Sequence, residues 1–535
     1  MIKIEVCYNV IPRLDRGIQK TNTSKLKEFQ YILKSSLTNK KWDNVLQNDE
    51  LKEVFVDLKA NKRGSKRIAI VYPNSYYVGM SNLGFQGLFY KFSSQDNFNV
   101  NRFFYDATSA KKVFSPENHF SLKQADIILI SISFETDFIF FIEILLANGI
   151  ETNVLKREAP FIGIGGVFPS LNPIFFINIV NIVFCGEFEC YINELFMFCS
   201  SLESSKKINM LDLYSNIENI FNKFSCYKEN GIIIESKTLF NPLSIPNYTH
   251  ILTPKTSFSN SFLIELTRGC KFKCNFCTVP SIFGKLRHFS KENIIMALDL
   301  GLAKTKKVGF ISALTTEHPD LKELIYYVNA NGGEISFSSM RIEQIDNELL
   351  NLIRKNKQNI LTIAPEVASE KLKKKLHKSI KNEKILDLFE RALQTKFKKF
   401  KFYFIIGFAE EDHDDLNGII NLMKRIKQIA LTYARVNKYM PELILSINQF
   451  IPKPKTPLHV ETFVNYKLVK DRFNYLKKNI LSLGNITINH DNYKENYIQW
   501  RFSHGNENLS ADVIEWIKKN NNVKSIYQFL SKELI

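Results

Sequence analysis

The chain has 535 residues, 45% of them hydrophobic and 24% charged, with a formal net charge of +18. That length exceeds one ordinary core and predicts several domains, while the composition excludes a disordered or fibrous chain. The charge admits a nucleic-acid partner without favouring one, because lysines outnumber arginines about four to one and arginine is the residue suited to bidentate phosphate and base contacts.

The opening "MIKIEVCYNVIPRL" carries an early acid and no continuous apolar block, so no secretory signal is expected. Residues 1–60 are polar and helical in pattern ("SKLKEFQYILKSSL") and read as a helical arm. From residue 61 the pattern changes. A short apolar run, Ile68–Tyr72, meets the turn-rich "PNSYYVGMSNLG" and then a helical segment. Further buried strands are expected at "ADIILISIS", "PFIGIGGVFPS" and "NIVFCGEFE", each leading toward a helix. The most apolar stretch, "IILISISFETDFIFFIEILLANGI", is interrupted by Glu135, Asp137 and Glu143, and so reads as buried strand plus helix rather than a bilayer span. A cytoplasmic protein without a membrane partner is expected.

Strands alternating with helices require right-handed crossovers and give a parallel, doubly wound α/β sheet over residues 61–205. Residues 206–257, with the hairpin-like "NGIIIESKTLFNPLSIPN", read as a bridge. Over 258–457 the alternation restarts with "SFLIELT", "KVGFIS", "EISFSS", "NILTIAP", "KFKFYFIIG" and "LILSINQF". Six such repeats suit a partial or complete (β/α) barrel, whose ligands sit at the C-terminal ends of its strands. Residues 458–535 read as a small, mostly helical appendage with the short strand "NITINHD".

The chain has eight cysteines, and in a protein of this kind they point to metal or catalysis rather than disulfides. Cys7, Cys185, Cys190, Cys199 and Cys226 lie among apolar neighbours and read as inert thiols. Cys270, Cys274 and Cys277 differ: they form C-x3-C-x2-C directly after the first barrel strand. Structural zinc needs four ligands, usually as two close pairs, and only the distant His288 is at hand. Three thiolates can instead hold three irons of a [4Fe–4S] cluster. The fourth iron then stays open, and an open metal position is a reaction site.

With Phe276 in the aromatic slot and "TRGC" running into the first cysteine, this triad resembles the signature of the radical S-adenosylmethionine (SAM) enzymes. The segments "GFISALTTEHPDL", "FSSMRIEQIDNELLNLI", "LTIAPEVASEKLKKKLHK", "YFIIGFAEEDHDDLNGI" and "INQFIPKPKTP" look like successive parts of one subfamily. That subfamily carries an N-terminal domain similar to the cobalamin-binding fold. With "VYPNSYYVGMSNLGFQGL" and "GIGGVFPSLNP" the likeness covers about residues 66–515.

The resemblance implies that Cys270, Cys274 and Cys277 hold the cluster and that the open iron chelates the amino and carboxylate groups of SAM. One electron then cleaves the sulfonium C–S bond, and the resulting 5′-deoxyadenosyl radical abstracts hydrogen from a substrate the sequence does not identify. It also implies a flavodoxin- or ferredoxin-type reducing partner. Phe276 takes the place near the adenine, and the backbone of Ile311-Ser312-Ala313 that near the methionine amino group. Ser339 and Arg341 are candidates for the ribose and carboxylate, and Glu366 for the ribose. Gly332-Gly333-Glu334 imitates the family's Gly-Gly-Glu stretch but precedes the third strand, so it reads as a loop turn. The first domain lacks the D-x-H-x-x-G loop, with no histidine between residues 66 and 118. Gly165-Gly166 matches the family's later glycine pair, yet the missing imidazole argues against cobalamin and for a scaffold that recognises substrate.

Two alternatives stay open. A tRNA methylthiotransferase-like enzyme would carry three further, widely spaced cluster cysteines and a C-terminal RNA-binding β-barrel; here Cys185, Cys190 and Cys199 are bunched and the C-terminal segment is helical. A non-catalytic iron–sulfur scaffold or electron carrier would usually satisfy all four irons. The run "KLKKKLHKSIKNEK" could grip phosphates, but its Leu and Ile spacing reads as an amphipathic helix with solvated lysines.

Overall fold

The computed structural model describes residues 51–57, 64–202, 210–221, 225–228, 232–235, 246–378, 380–520 and 526–531. Most of the expected helical arm, and Cys7 with it, lies outside the described residues. The chain divides into two compact units. One holds Phe262–Trp500; the other draws on the chain up to Phe240, on Asn247–Ser261 and on Arg501–Ile535.

The N-terminal unit is built on β1 (Lys66–Tyr72), β2 (Phe98–Tyr105), β3 (Ile127–Ser131), β4 (Phe161–Gly165), β5 (Ile182–Cys185), β6 (Ser225–Lys228) and β7 (Ile232–Glu235). Their order is Val113–Phe114, β2, β1, β3, β4, β5, β7, β6. Only the two edge pairings, Val113–Phe114 with β2 and β6 with β7, are antiparallel. Strands such as "IILIS" and "FIGIG" are apolar throughout because helices cover both faces. Helix α1 (Leu83–Ser93) carries the chain from β1 to β2, and Asn82 starts it by accepting a hydrogen bond from the Phe85 amide. Helix α2 (Asp137–Ala147) follows β3. The strand order therefore reverses between β1 and β3, the switch point where a doubly wound sheet opens a crevice at its C-terminal edge.

This unit takes in pieces the sequence reading had set apart. β7 pairs in parallel with β5, so the expected bridge contributes strands to the sheet. Phe502 packs edge-on to Phe138 of α2 with ring centroids 5.5 Å apart. Residues Val54 and Phe55 pair antiparallel with Leu252 and Ile251. Beside them Arg102 of β2 is buried between two carboxylates. Its Nη2 lies 2.8 Å from Glu53 Oε2, and its Nε donates to Glu117 Oε1 at 2.7 Å.

The other unit contains β8 (Phe262–Arg268), β9 (Lys307–Ser312), β10 (Glu334–Phe337), β11 (Ile360–Glu366), β12 (Lys399–Ile406), β13 (Glu442–Gln449) and β14 (Ile486–His490). The first six are the six expected barrel strands. They form two four-stranded sheets, ordered Arg287–His288, β8, β9, β10 and β11, β12, β13, β14. No ladder joins β10 to β11. The Ile335 and Phe337 amides donate instead to the side-chain oxygens of Asn356 (2.8 Å) and Gln358 (3.2 Å), so two amide side chains satisfy that edge. β14 pairs in parallel with β13, which carries the unit beyond the expected end at 457 to Trp500. The expected appendage is thereby divided between the two units.

Among the described residues no helix is long and apolar enough to cross a membrane. In the lysine run, Lys371 pairs with Asp412 and Asp415, Lys373 with Glu370, Lys375 with Glu410 and Glu461, and Lys378 with Glu366. Carboxylates of the fold itself take up those charges.

Candidate functional site

β8 delivers the chain to Gly269, whose φ of +77° suits glycine; a Cβ there would stand 2.2 Å from the Lys285 carbonyl oxygen. The close approach has a purpose, since the Cys270 amide donates to the Gly284 carbonyl at 3.1 Å. On its other side the cysteine loop is laced to the end of helix α3 (Glu370–Lys375). The Asn275 amide donates to Leu376 O (3.0 Å), its side chain donates to Lys375 O (2.7 Å), and His377 Nδ1 lies 3.0 Å from Lys273 O. The Leu458 amide, just past "IPKPKTP", donates to Asn275 O at 3.1 Å. A turn from Cys277 N to Cys274 O (3.1 Å) closes the stretch between the last two cysteines. We expect Gly269→Ala to force this loop outward and cut iron incorporation, read as iron per chain after anaerobic reconstitution, while the far-ultraviolet circular dichroism stays unchanged.

All three cysteines are half-buried. Burial pushes the Cys274 thiol up, against the opposing pull of Lys378 and then Arg341. Coordination to iron overrides that burial penalty by deprotonating the thiol outright.

The other predicted residues take different places around this loop. Phe276 is buried, 7% exposed. Ser312 Oγ lies 2.7 Å from Thr267 Oγ1 and accepts from the Leu314 amide at 2.8 Å, so its hydroxyl is spent on joining β8 to β9. The Ser339 carbonyl accepts from the Thr315 amide at 3.0 Å. Arg341 lays its guanidinium 3.5 Å from the ring centroid of Phe272, inside the cysteine motif, and its Nη2 is 2.9 Å from Glu343 Oε1. Glu366 ends β11 at a register shift, with φ +67° and 3% exposure. Its Oε1 pairs with Lys378 at 2.6 Å, whereas its Oε2 is buried with no partner. Glu366 is thus a strained, incompletely satisfied acid at a strand's C-terminal end, the edge where barrel ligands sit. The tripeptide Gly332-Gly333-Glu334 forms the turn into β10, where Glu334 pairs with Lys357 at the far end of the strand from Ser339.

Sequence reasoning missed three contributors. Lys378 was hidden in a lysine run, and Asn275 occupies a variable position of the motif. Glu317, following β9, pairs with Lys271 of the cysteine loop and leaves Oε1 buried without a partner; His288 Nδ1 is likewise unpartnered.

In the N-terminal unit the switch-point edge carries Asn74, whose side-chain amide donates to Asp137 Oδ1 at 2.8 Å. Asp137 Oδ2 has no partner, and burial pushes this carboxyl up to about 8. Gly166 has φ +115° and approaches Ile132 O so closely that a Cβ would lie 2.3 Å away, so packing within the sheet already accounts for that glycine. The folded protein holds a proton on Asp137 that the unfolded chain releases near pH 4, so wild-type stability falls as pH rises from about 4 to about 8. Asp137→Asn, which stays neutral, should match wild type only below about pH 4 and exceed it most above pH 8 in urea unfolding; a pH-independent difference would contradict this.

Residues 264–423 match the radical SAM superfamily, and residues 84–222 match the N-terminal region of radical SAM proteins. The chain belongs to the radical SAM superfamily and is an enzyme of that class. An uncharacterized protein of Methanocaldococcus jannaschii is 25% identical over 470 residues, covering 88% of this chain and 94% of that one. The ribosomal protein uS12 methylthiotransferase RimO of Dictyoglomus thermophilum is 23% identical over 38% of this chain and 49% of its own length. Among solved structures, the cobalamin-dependent SAM radical enzyme OxsB with aqua-cobalamin bound shares the fold, with a TM-score of 0.50 and 14% identity over 87% of this chain and 67% of that one.

Membership in this superfamily implies a [4Fe–4S] cluster and SAM. The donor set fits that cluster. Each thiolate of a cubane takes its own iron, so the three sulfurs need not converge on one ion, and among the described residues no three His, Cys, Asp or Glu side chains do.

Proposed function

We propose that the protein reductively cleaves SAM to a 5′-deoxyadenosyl radical that abstracts hydrogen from a substrate bound at the C-terminal ends of the barrel strands. The observation that supports this reading is a three-cysteine loop pinned by hydrogen bonds on both sides; three thiolates would leave one iron of a cluster for a ligand from outside. When bound, the cluster supplies the electron for the C–S bond.

Cys270, Cys274 and Cys277 would hold the cluster, and Phe276 would lie toward the adenine. Glu366 Oε2 would accept from a ribose hydroxyl. Arg341, prepaid by Phe272 and Glu343, would face the methionine carboxylate with little ordering cost. Ser312 can offer only its backbone, because its hydroxyl is engaged. Ser339 would contribute on the neighbouring strand. A flavodoxin- or ferredoxin-type protein would deliver the electron.

Cobalamin regains standing as a second group. The missing imidazole had argued against it, but OxsB, of the same fold, carries aqua-cobalamin. At the switch-point edge of this chain the free oxygen of Asp137 is a buried polar atom that a ligand could satisfy. With no histidine in the loop after β1, a corrin there would have no imidazole from that loop.

The methylthiotransferase reading requires a second cluster, and the candidate cysteines disfavour it. Cys199 is fully buried in the apolar core, where burial pushes its thiol up, and Cys185 is buried as well. Anaerobic reconstitution should give about four irons per chain, whereas about eight would revive that reading.

The proposal is tested by adding SAM and a strong reductant to the oxygen-free protein and quantifying 5′-deoxyadenosine. Formation is expected in wild type and not in the Cys270→Ala, Cys274→Ala, Cys277→Ala variant. Its absence from wild type with a reducible cluster, substrate extracts included, would leave the scaffold or electron-carrier reading.

A further inference from the structure

The cysteine loop is bonded to residues 375–377 on both sides of one ligand. Lys273, before Cys274, meets His377, and Asn275, after it, meets Lys375 and Leu376. The next residue along, Lys378, follows directly on the segment bonded to both neighbours of Cys274. Its ammonium does not run out to solvent. It turns inward, donating to Ala364 O at 2.8 Å and to Glu366 Oε1 at 2.6 Å, and the paired side chains are only 10% and 4% exposed. Arg341, whose guanidinium stacks on Phe272 of the same loop, is matched by Glu343. Lys378 is held by a glutamate in a strained backbone conformation that also keeps one oxygen unpartnered.

A buried ion pair is poor value for stability, since desolvation offsets most of its attraction. Beside a redox centre the same pair has another use. Reduction adds one negative charge to a cluster, and fixed charges nearby in a medium of low dielectric bias that step. We infer that Lys378 is a positioning residue whose charge, metered by Glu366, sets the reduction potential of the cluster bound by Cys270, Cys274 and Cys277. This rests on the cluster reading above.

The test is an anaerobic redox titration of the reconstituted full-length protein, followed by electron paramagnetic resonance of the reduced cluster, with iron content measured alongside. Lys378→Met removes the cation and should shift the midpoint potential downward. Glu366→Gln removes its counter-charge and should shift it upward. Lys378→Arg should stay near wild type, and the double variant Lys378→Met with Glu366→Gln should return toward it, which a merely structural role would not produce. Unmoved potentials with wild-type iron content, or single shifts in the same direction, would overturn the inference alone. A wild-type chain that takes up no cluster would overturn the cluster reading and this inference with it.

Discussion

Cys274→Ala will abolish 5′-deoxyadenosine formation while leaving the protein folded. Cys274 lies between Lys273 and Asn275, whose bonds to the 375–377 segment use backbone groups and the Asn275 side chain, none of which depends on the sulfur. The residue is only half-buried, so loss of its thiol should cost little stability. It removes one of three protein ligands, however, and a cluster left with two is labile. Iron per chain should fall from about four toward none, with the loss of activity tracking the loss of iron. The alternative outcome is informative too: full iron with no activity would mean that Cys274 acts in the chemistry rather than in holding the cluster.

Arg102→Ala should be the most destabilising single substitution in the N-terminal unit. Arg102 is 1% exposed, stacks 4.7 Å from the Phe89 ring centroid and bonds both Glu53 and Glu117. Truncation leaves two carboxylates facing each other without a cation, and breaking a buried pair by removing one partner costs about 3–5 kcal/mol. Lysine should not rescue, because a single ammonium cannot reach two carboxylates as the guanidinium fork does. Urea unfolding reads the cost as a shifted midpoint with an unchanged slope. A loss below about 1 kcal/mol would show that the carboxylates simply take up protons and that the network contributes little.

What the sequence made legible follows from how each signal is written. Strands such as Ile127–Ser131 and Phe161–Gly165 announce themselves as apolar runs, because a parallel sheet buries both faces, whereas β2, with Asn99, Asn101 and Arg102 in its run, was not read as a strand. The triad was legible because cysteine is rare here and three stand within eight positions. β14 was seen as a strand but not as part of the barrel sheet, since pairing is a property of the partner, β13, and not of "NITINHD" itself. Ser312 shows the same limit. Its position at the strand end was readable, but the Thr267 hydroxyl that claims its side chain lies 45 residues away. Lys378 and Asn275 could not be singled out for a related reason. The Asn275–Lys375 bond spans 100 residues, and nothing in a lysine run marks the one lysine that turns inward. Asp137 was read as an interruption of an apolar stretch; only its burial and unpartnered oxygen make it a candidate for binding.

The measurement closest to the central claim is electron–nuclear double resonance on the reduced, reconstituted protein with SAM labelled in its amino nitrogen and carboxylate oxygen. If one iron of the cluster is left open by Cys270, Cys274 and Cys277, both labels will show hyperfine coupling to the cluster, and the signal will disappear in the triple-alanine variant. An intact, reduced cluster that shows no coupling to either label would mean that the fourth iron is closed by another ligand, and the account of this protein as a SAM-cleaving enzyme would fail.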